Sequence, residues 1–527
     1  MSKKRKSTIL PIFKYVTMIA IFITIGYSCS SDQTDVWEDS TPTSSSKAIT
    51  EFFFPGLGIK GTINESTHII SVPFSANTDI SDLAANFTTT GVKVSVGSVT
   101  QVSGTTKNDF SKAITYTVTA QDGSTQDYTI APPNSADVLG FVFDGSDEPY
   151  WELPALKEGT NTFNNAPADL EYSVGYPILA AGATVTQSGG DEASDYNSTG
   201  YTFTVTAADG KTKKTYTVKI PAYNKDTNPY GIYTPVQLWT PNLHLTESFK
   251  VMNDITMPAV DGTEYPIGEN YDSEGWSCIG DFYTFMGTID GDGHVIKNLT
   301  IKRSSTKYIG FISVMGAKAV LKNIGFTSVN ITGGATVGAL VADNQGGTIS
   351  HCYATGSVTS SGFSLAGQAG GLVGINNDAN GKAGKMFNCY SKVNVTAGNG
   401  AVAGGLVGYN YSCEVQNCYA TGSVSGTYES GGALIGKNAS TVSNCYATGS
   451  LKTGGGLVGL NFYWSYTPDC FWDTQTTGQT TSDDGGEGIG KTTANMQTAT
   501  PYTNTWTAAN WKFTAGQYPT LVGLAGQ

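Results

Sequence analysis

Between residues 310 and 475 two short patterns alternate along the chain, and a repeat this short leaves few folds open. The first reads GFISV at Gly310, ALVADN at Ala339, GLVGIN at Gly371, GLVGYN at Gly405, ALIGKN at Ala433 and GLVGLN at Gly456. The second reads Asn323-Ile324, His351-Cys352-Tyr353, Asn388-Cys389-Tyr390, Asn417-Cys418-Tyr419, Asn444-Cys445-Tyr446 and Asp469-Cys470-Phe471. Three copies continue as Ala-Thr-Gly-Ser before Val358, Val424 or Leu451. Successive copies start between 23 residues (Ala433 to Gly456) and 34 residues (Gly371 to Gly405) apart. A unit of that length cannot bury its own apolar face, so the copies must stack on one another. Short β-type runs split by Gly and Asn make each unit one coil of a parallel β-helix, right-handed by the crossover rule.

In such a stack equivalent residues lie about 4.8 Å apart, so each repeated position becomes a column. Leu340, Leu372, Leu406, Leu434 and Leu457 form an inward ladder, with Phe311 expected to cap it. Asn344, Asn376, Asn410, Asn438 and Asn461 follow four residues after each Leu. Stacked amides bond coil to coil, and Asn tolerates left-handed backbone at turns, so these Asn read as structural; a line of ligand-binding amides is the alternative. Cys352, Cys389, Cys418, Cys445 and Cys470 share a column in which an earlier coil has Ile324. Ile in register with Cys marks an apolar interior slot, where thiols act as small hydrophobes, and no Cys-x-x-Cys cluster argues for a metal. Disulfides between adjacent coils fall within bridging range and stay open.

The run Gly-Gly-Leu-Val-Gly-x-Asn followed by Asn-Cys-Tyr-Ala-Thr-Gly-Ser-Val resembles the GLUG repeat. FMGTIDGDGHVIKNLTI (Phe285 to Ile301) is similar to the lead-in coil of such arrays, and DCFWDTQTTGQ (Asp469 to Gln479) with QYPTL (Gln517 to Leu521) to their closing segment. The likeness covers roughly residues 229 to 527. It implies a β-helical stalk or contact surface of a bacterial surface or secreted protein, often adhesin-like, with no activity of its own. Such arrays also occur in the non-catalytic region of immunoglobulin A peptidases.

The half before the array is a duplication. Ile114 to Ile130 reads ITYTVTAQDGSTQDYTI and Tyr201 to Ile220 reads YTFTVTAADGKTKKTYTVKI, with Val118 and Val205, Asp122 and Asp209, and Gly123 and Gly210 all offset by 87. Alternating apolar residues around Asp-Gly signal a hairpin, because the turn wants positive φ. Each copy fits an immunoglobulin-like β-sandwich, and neither contains Cys. The copies resemble small, uncharacterised sandwich modules of bacterial surface lipoproteins, which implies a spacer or binding role. The expected fold class is thus all-β: two sandwiches at 48–133 and 134–222, lead-in coils at 223–309, repeats at 310–475 and a C-terminal cap at 476–527. Low charge content (14%), 64 Gly, 28 Tyr and 22 Phe agree with an all-β extracellular chain.

Lys3, Lys4, Arg5, Lys6 and Lys14 precede an uncharged stretch, Tyr15 to Ser28, that ends at Cys29. That order is an export signal, and the stretch is shorter than the ~20 residues a spanning helix needs. Gly26-Tyr27-Ser28-Cys29 resembles a bacterial lipoprotein cleavage box, though Gly26 stands where such boxes usually carry Leu. The resemblance implies removal of residues 1–28 and lipidation of Cys29, with 29–47 as a flexible tether rich in Ser, Thr and Asp. An ordinary cleaved secretory signal is the alternative. The expected location is the surface face of the outer membrane, held by the lipid. A net charge of −13 repels phosphate backbones, which disfavours nucleic acid as a partner.

No chemistry of catalysis assembles from the motifs. His68, His244, His294 and His351 form no His-Glu-x-x-His pair. The acids of the central repeats, Asp343, Asp378, Glu414 and Glu429, stand well apart, whereas β-helix lyases and hydrolases need convergent carboxylates. Asp290-Gly-Asp292-Gly293 and Asp483-Asp484-Gly-Gly-Glu487 lack full calcium-loop spacing and read as turns. No enzyme activity, metal or cofactor is expected. The candidate ligand contacts are aromatic: Tyr409 and Tyr411 after one Leu-Val-Gly, and Phe462, Tyr463, Trp464 and Tyr466 after another. Aromatic platforms bind sugars or proteins through apolar faces and polar rims. The competing role is to cap the solenoid end together with Trp472, Trp506 and Trp511. The leading expectation is adhesion to a host or matrix ligand. A glycan-binding accessory of a polysaccharide-uptake system follows it, and a β-helix polysaccharide lyase or hydrolase comes third.

Overall fold

In the computed structural model the described residues are 44–527 other than 66, 73, 75–78, 131–135, 145–148, 169, 171–173, 181, 188–199, 209, 261–270, 282, 363–366, 380, 399, 426–430, 463–464, 484, 486, 500–501 and 503–505; the export segment and Cys29 lie outside them. Strands dominate, and they group as two small two-sheet units followed by four long sheets.

The first unit opposes a sheet built on Ile49–Phe54 to a six-stranded sheet containing the Ile114–Thr119 and Thr125–Ile130 hairpin. Alternate residues point inward, so Phe52, Phe54, Phe110, Tyr116, Val118 and Tyr128 fill one core. The second unit repeats the plan, with Val138–Asp144 central in one sheet and Tyr201–Thr206 against Lys213–Lys219 in the other, around Phe141, Phe143, Phe203 and Tyr216. In the first hairpin only Gly123 takes positive φ (84°), and Ala120 pairs with Ser124. The connection is therefore a three-residue loop whose last residue is left-handed, not the two-residue turn in which both central residues are.

From Tyr230 onward the chain winds as a parallel β-helix with four strands per coil. One sheet, the glycine sheet, stacks Thr336–Gly338, Gln368–Gly370, Val402–Gly404 and Gly431–Gly432. The next, the asparagine sheet, stacks Val341–Gln345, Val373–Ala379, Val407–Tyr411, Ile435–Ala439 and Val458–Asn461. A third runs from Tyr230–Ile232 to Val442–Ser443, and the fourth, the tyrosine sheet, carries Tyr353–Ser360, Tyr390–Ala397, Tyr419–Ala420, Tyr446–Ala447 and Phe471–Asp473. The five ladder Leu are fully buried and belong to one continuous core. Phe311 does not cap that core: its ring stacks on Trp276 at 6.2 Å, because the lead-in coils continue the interior upstream.

The glycine just before each Gly-Leu-Val or Ala-Leu-Ile motif marks the corner between two sheets. A Cβ on Gly370, Gly404, Gly432 or Gly455 would come within 2 Å of the carbonyl oxygen three residues on, so the corner closes only without one. The left-handed column is not the one expected. The ladder Asn have ordinary strand backbone, and positive φ falls instead on Asn323, His351, Asn388, Asn417, Asn444 and Asp469, each just before the Cys column. Those residues turn the chain into the tyrosine sheet, and Asn and Asp tolerate that backbone best among residues with a side chain.

At its first coil the helix abuts the second sandwich. Asn165 donates its backbone N–H to Asn228 Oδ1 (2.8 Å) and its side chain to the Pro229 carbonyl (2.9 Å), and Ala168 joins the helix core. A Cβ on Gly231 would meet the Asn165 oxygen at 2.1 Å, so this contact too requires Gly.

Candidate functional site

The Asn column sits inside the coil at the edge of the asparagine sheet. Each amide donates to the next: Asn344 to Asn376 at 2.8 Å, Asn376 to Asn410 at 3.0 Å, Asn410 to Asn438 at 2.9 Å and Asn438 to Asn461 at 3.0 Å. The first four are fully buried, and Asn344, Asn410 and Asn438 also close their own turns on backbone carbonyls. With both amide ends of Asn376, Asn410 and Asn438 used coil to coil and Asn344 Oδ1 accepting from the Gly347 N–H, the four buried amides offer nothing to a ligand in solvent.

The Cys column is equally enclosed. All five thiols are free and buried, and each Sγ lies within hydrogen-bond reach of the carbonyl two residues back, at 3.1 Å for Cys352, Cys418 and Cys445. Burial pushes the Cys352, Cys389 and Cys445 thiols well above the ordinary range, which keeps them protonated. Cys278 and Cys413, outside the column, are pushed up to about 12 by the same cause.

Alternation sends the residue after each Cys outward, and there Tyr353, Tyr390, Tyr419 and Tyr446 stack face to face at 4.8, 5.0 and 4.8 Å. The C-terminal segment covers them. Trp506 and Trp511 stack on each other at 4.2 Å and lean on Tyr446, while Trp511 Nε1 donates to Asn417 Oδ1. The Tyr446 hydroxyl donates to the Pro519 carbonyl (2.7 Å), and those of Tyr390 and Tyr419 reach the Ala525 carbonyl and Gln527 Oε1. Trp506 and Trp511 therefore clasp the flank of the helix instead of capping its end. Trp472 does lie in the last coil, its indole held by the Gln479 carbonyl at 3.0 Å. The signal for the clasp was available: five aromatic residues on an outward column need a cover, and the tail supplies matching indoles.

The aromatic candidates divide. Tyr409, Tyr411 and Phe462 gather where the asparagine sheet turns into the next sheet, with Tyr409 5.8 Å from Tyr411 and 6.3 Å from Phe462. Tyr411 is 45% and Phe462 40% exposed, large fractions for aromatic rings of a folded chain. Tyr466 is more exposed (57%) but stands opposite Thr441 on the adjoining sheet and makes no ring contact with the other three. Tyr463 and Trp464 lie outside the described residues. Register places Lys437 between Tyr409 and Leu460, and burial lowers its amine from the ordinary lysine value. The patch thus has apolar faces, phenolic rims and one cation. It can grip the apolar face of a sugar or the side chains of a protein.

Of the acid-rich turns, Asp290 and Asp292 already hold Lys322 and Lys250, both at 2.9 Å. Among the described residues no group of His, Cys, Asp and Glu is arranged to hold a metal ion. No helix among them is long and apolar enough to cross a membrane.

Comparison with known proteins adds two family matches. Residues 49–131 match the family model described as SGBP, N-terminal, and residues 399–425 match the GLUG motif. Halomucin of Haloquadratum walsbyi is 32% identical over 127 residues, 24% of this chain and 1% of its own length. A protein of Evansella cellulosilytica named as a candidate Gly-rich membrane protein is 34% identical over 125 residues, 23% of this chain and 14% of its own. The chain thus spans only a small part of the curated relatives it matches. A solved chain described as a candidate immunoglobulin A1 protease from Bacteroides ovatus aligns over 56% of this chain and 93% of its own, with 20% identity and a TM-score of 0.41. An IgA1 protease aligns over 64% of this chain and 29% of its own, with 13% identity and a TM-score of 0.30.

Proposed function

We propose that this chain is a lipid-anchored surface protein that binds glycan, with its β-helix presenting the contact surface and its sandwiches standing between that surface and the membrane. The observation that carries the reading is the match of the first sandwich to the N-terminal domain of surface glycan-binding proteins. The exposed cluster of Tyr411, Tyr409 and Phe462 supports it, because ring faces suit the apolar side of a pyranose and phenolic rims its hydroxyls. The match moves glycan binding ahead of adhesion to a host or matrix protein. Anchoring rests on Cys29 and its Gly-Tyr-Ser-Cys box. No catalytic step is part of the proposal.

The test is a soluble form starting at Ser30, screened against a broad glycan array and a panel of extracellular-matrix proteins, beside Tyr411→Ala/Phe462→Ala. Glycan binding that the double variant weakens is the expected result. Binding to matrix proteins alone would overturn the glycan reading in favour of a protein adhesin.

A further inference from the structure

The tyrosine column stops abruptly at its upstream end. Tyr353 is its first ring, stacked on Tyr390 at an interplanar angle of 5°, and the next rung up, in register with Tyr353, is Gly325. Tyr353 leans over that glycine so closely that a Cβ there would lie 2.2 Å from the ring. The rung beyond Gly325 is the aliphatic Val295. The last residues of the C-terminal segment run over this same place, tied down by Tyr390, Tyr419 and Lys392 through Ala525, Gln527 and Gly526. Between segment and coil lies a cavity of about 330 Å3, lined by Tyr353, His351, Asn323, Asp292 and Leu524 among others.

Size and lining together define what fits. The volume stands at the lower edge of the ~300–1,000 Å3 typical of small-ligand cavities, which suits one ring and not a chain of them. The side chains offer an aromatic ring and an aliphatic wall beside an amide, an imidazole and a carboxylate, so the occupant needs an apolar face and a hydrogen-bonding rim. Charge narrows it further. Asp292 is already paired with Lys250, so its carboxylate offers no uncompensated charge to draw in a cation or an anion. His351 Nε2 lies 3.1 Å from the Asn388 side-chain amide, and burial lowers the ring's pKa, which favours its neutral form at pH 7.

We propose that this cavity binds a single neutral pyranose, the terminal sugar of a glycan or a free monosaccharide, with its apolar face towards Tyr353 and its hydroxyls on His351, Asn323 and Asp292. The site is separate from the Tyr411 patch. Its ligand class rests on the surface-glycan reading; its location does not.

Saturation-transfer NMR and calorimetry on the form starting at Ser30, with glucose, galactose, mannose and xylose as probes, test it. At least one sugar should bind saturably, and Leu524→Trp, which fills the cavity, should weaken it tenfold or more. His351→Asn, which installs the residue three later coils carry in that column, keeps the backbone and should weaken binding several-fold. Monosaccharide binding lost in Tyr411→Ala/Phe462→Ala but kept in both cavity variants would place it on the patch and overturn the inference. Sugar binding indifferent to both cavity variants overturns the inference, as does the absence of monosaccharide binding. If longer glycans still bind and depend on the patch, the glycan reading survives that failure; if no glycan of any length binds, both fall.

Discussion

At the scale of single residues, stability concentrates where polar groups are buried and answered. Asn410 accepts from Asn376 and donates to Asn438 and to the Cys413 carbonyl, so Asn410→Ala strands partners on both sides in a water-free interior. We expect a loss of about 2–4 kcal/mol, from about 1–3 for each buried group left unpaired, read by denaturant unfolding. Asn461→Ala, at the half-buried end of the column, should cost visibly less. Asp343 behaves oppositely. It is 4% exposed, its Oδ1 has no partner, and burial raises its carboxyl above the ordinary 3.8, with Gln345 and Lys307 pulling the other way. The folded state then binds the proton more tightly than the unfolded one, so this group's contribution is favourable in acid and is lost as pH rises through the native pKa. Asp343→Asn should therefore melt higher than the native protein at pH 7, with the gap closing as pH falls towards 4. A gap that widened in acid would refute the assignment. The Leu, Asn and Cys columns were all legible in the sequence as fixed offsets. The left-handed column was harder to see: Asn occurs in two columns, and composition alone does not say which one bends.

At the scale of elements, the corner between the glycine and asparagine sheets sets the coil. Both of its glycines are tight, a Cβ on Gly404 falling 1.9 Å from the Val407 oxygen and one on Gly405 2.1 Å from the Ala433 oxygen, but only the second position carries alanine in other coils, as Ala339 and Ala433, so only there does the coil accommodate a methyl. Gly404→Ala should accordingly destabilise the array strongly, and Gly405→Ala should be much milder, as thermal unfolding of the two variants would show. Equal losses would mean that the corner is not what demands glycine. The C-terminal segment was the element least legible in advance. Its indoles read as an end cap because an open coil needs closing, and periodicity carries no information about a non-repeating segment that runs back along the flank. The outward Tyr column was the missed constraint, since alternation with an inward Cys leaves four stacked rings requiring cover.

At the scale of the whole molecule, duplicated sandwiches and a stacked helix make a long, acidic body in which strength is distributed and specificity is local. Repeats contact only their neighbours, so one weakened coil disturbs those beside it without dissolving the rest. Such a body suits display: the interior columns hold it rigid, while exposed aromatics are few enough to count. The fold class followed from spacing alone, but the site did not. Tyr409 and Phe462 are 53 positions apart in the sequence and meet only because the one coil between them has the right pitch. Calorimetry of the best-binding glycan from the array, with native protein and with Tyr411→Ala/Phe462→Ala, tests the central claim most directly. Two lost ring contacts at about 0.5–1.5 kcal/mol each predict a dissociation constant raised roughly 5- to 150-fold at unchanged unfolding temperature. An unchanged constant in a folded variant would contradict the account and move the glycan contact away from this face of the helix.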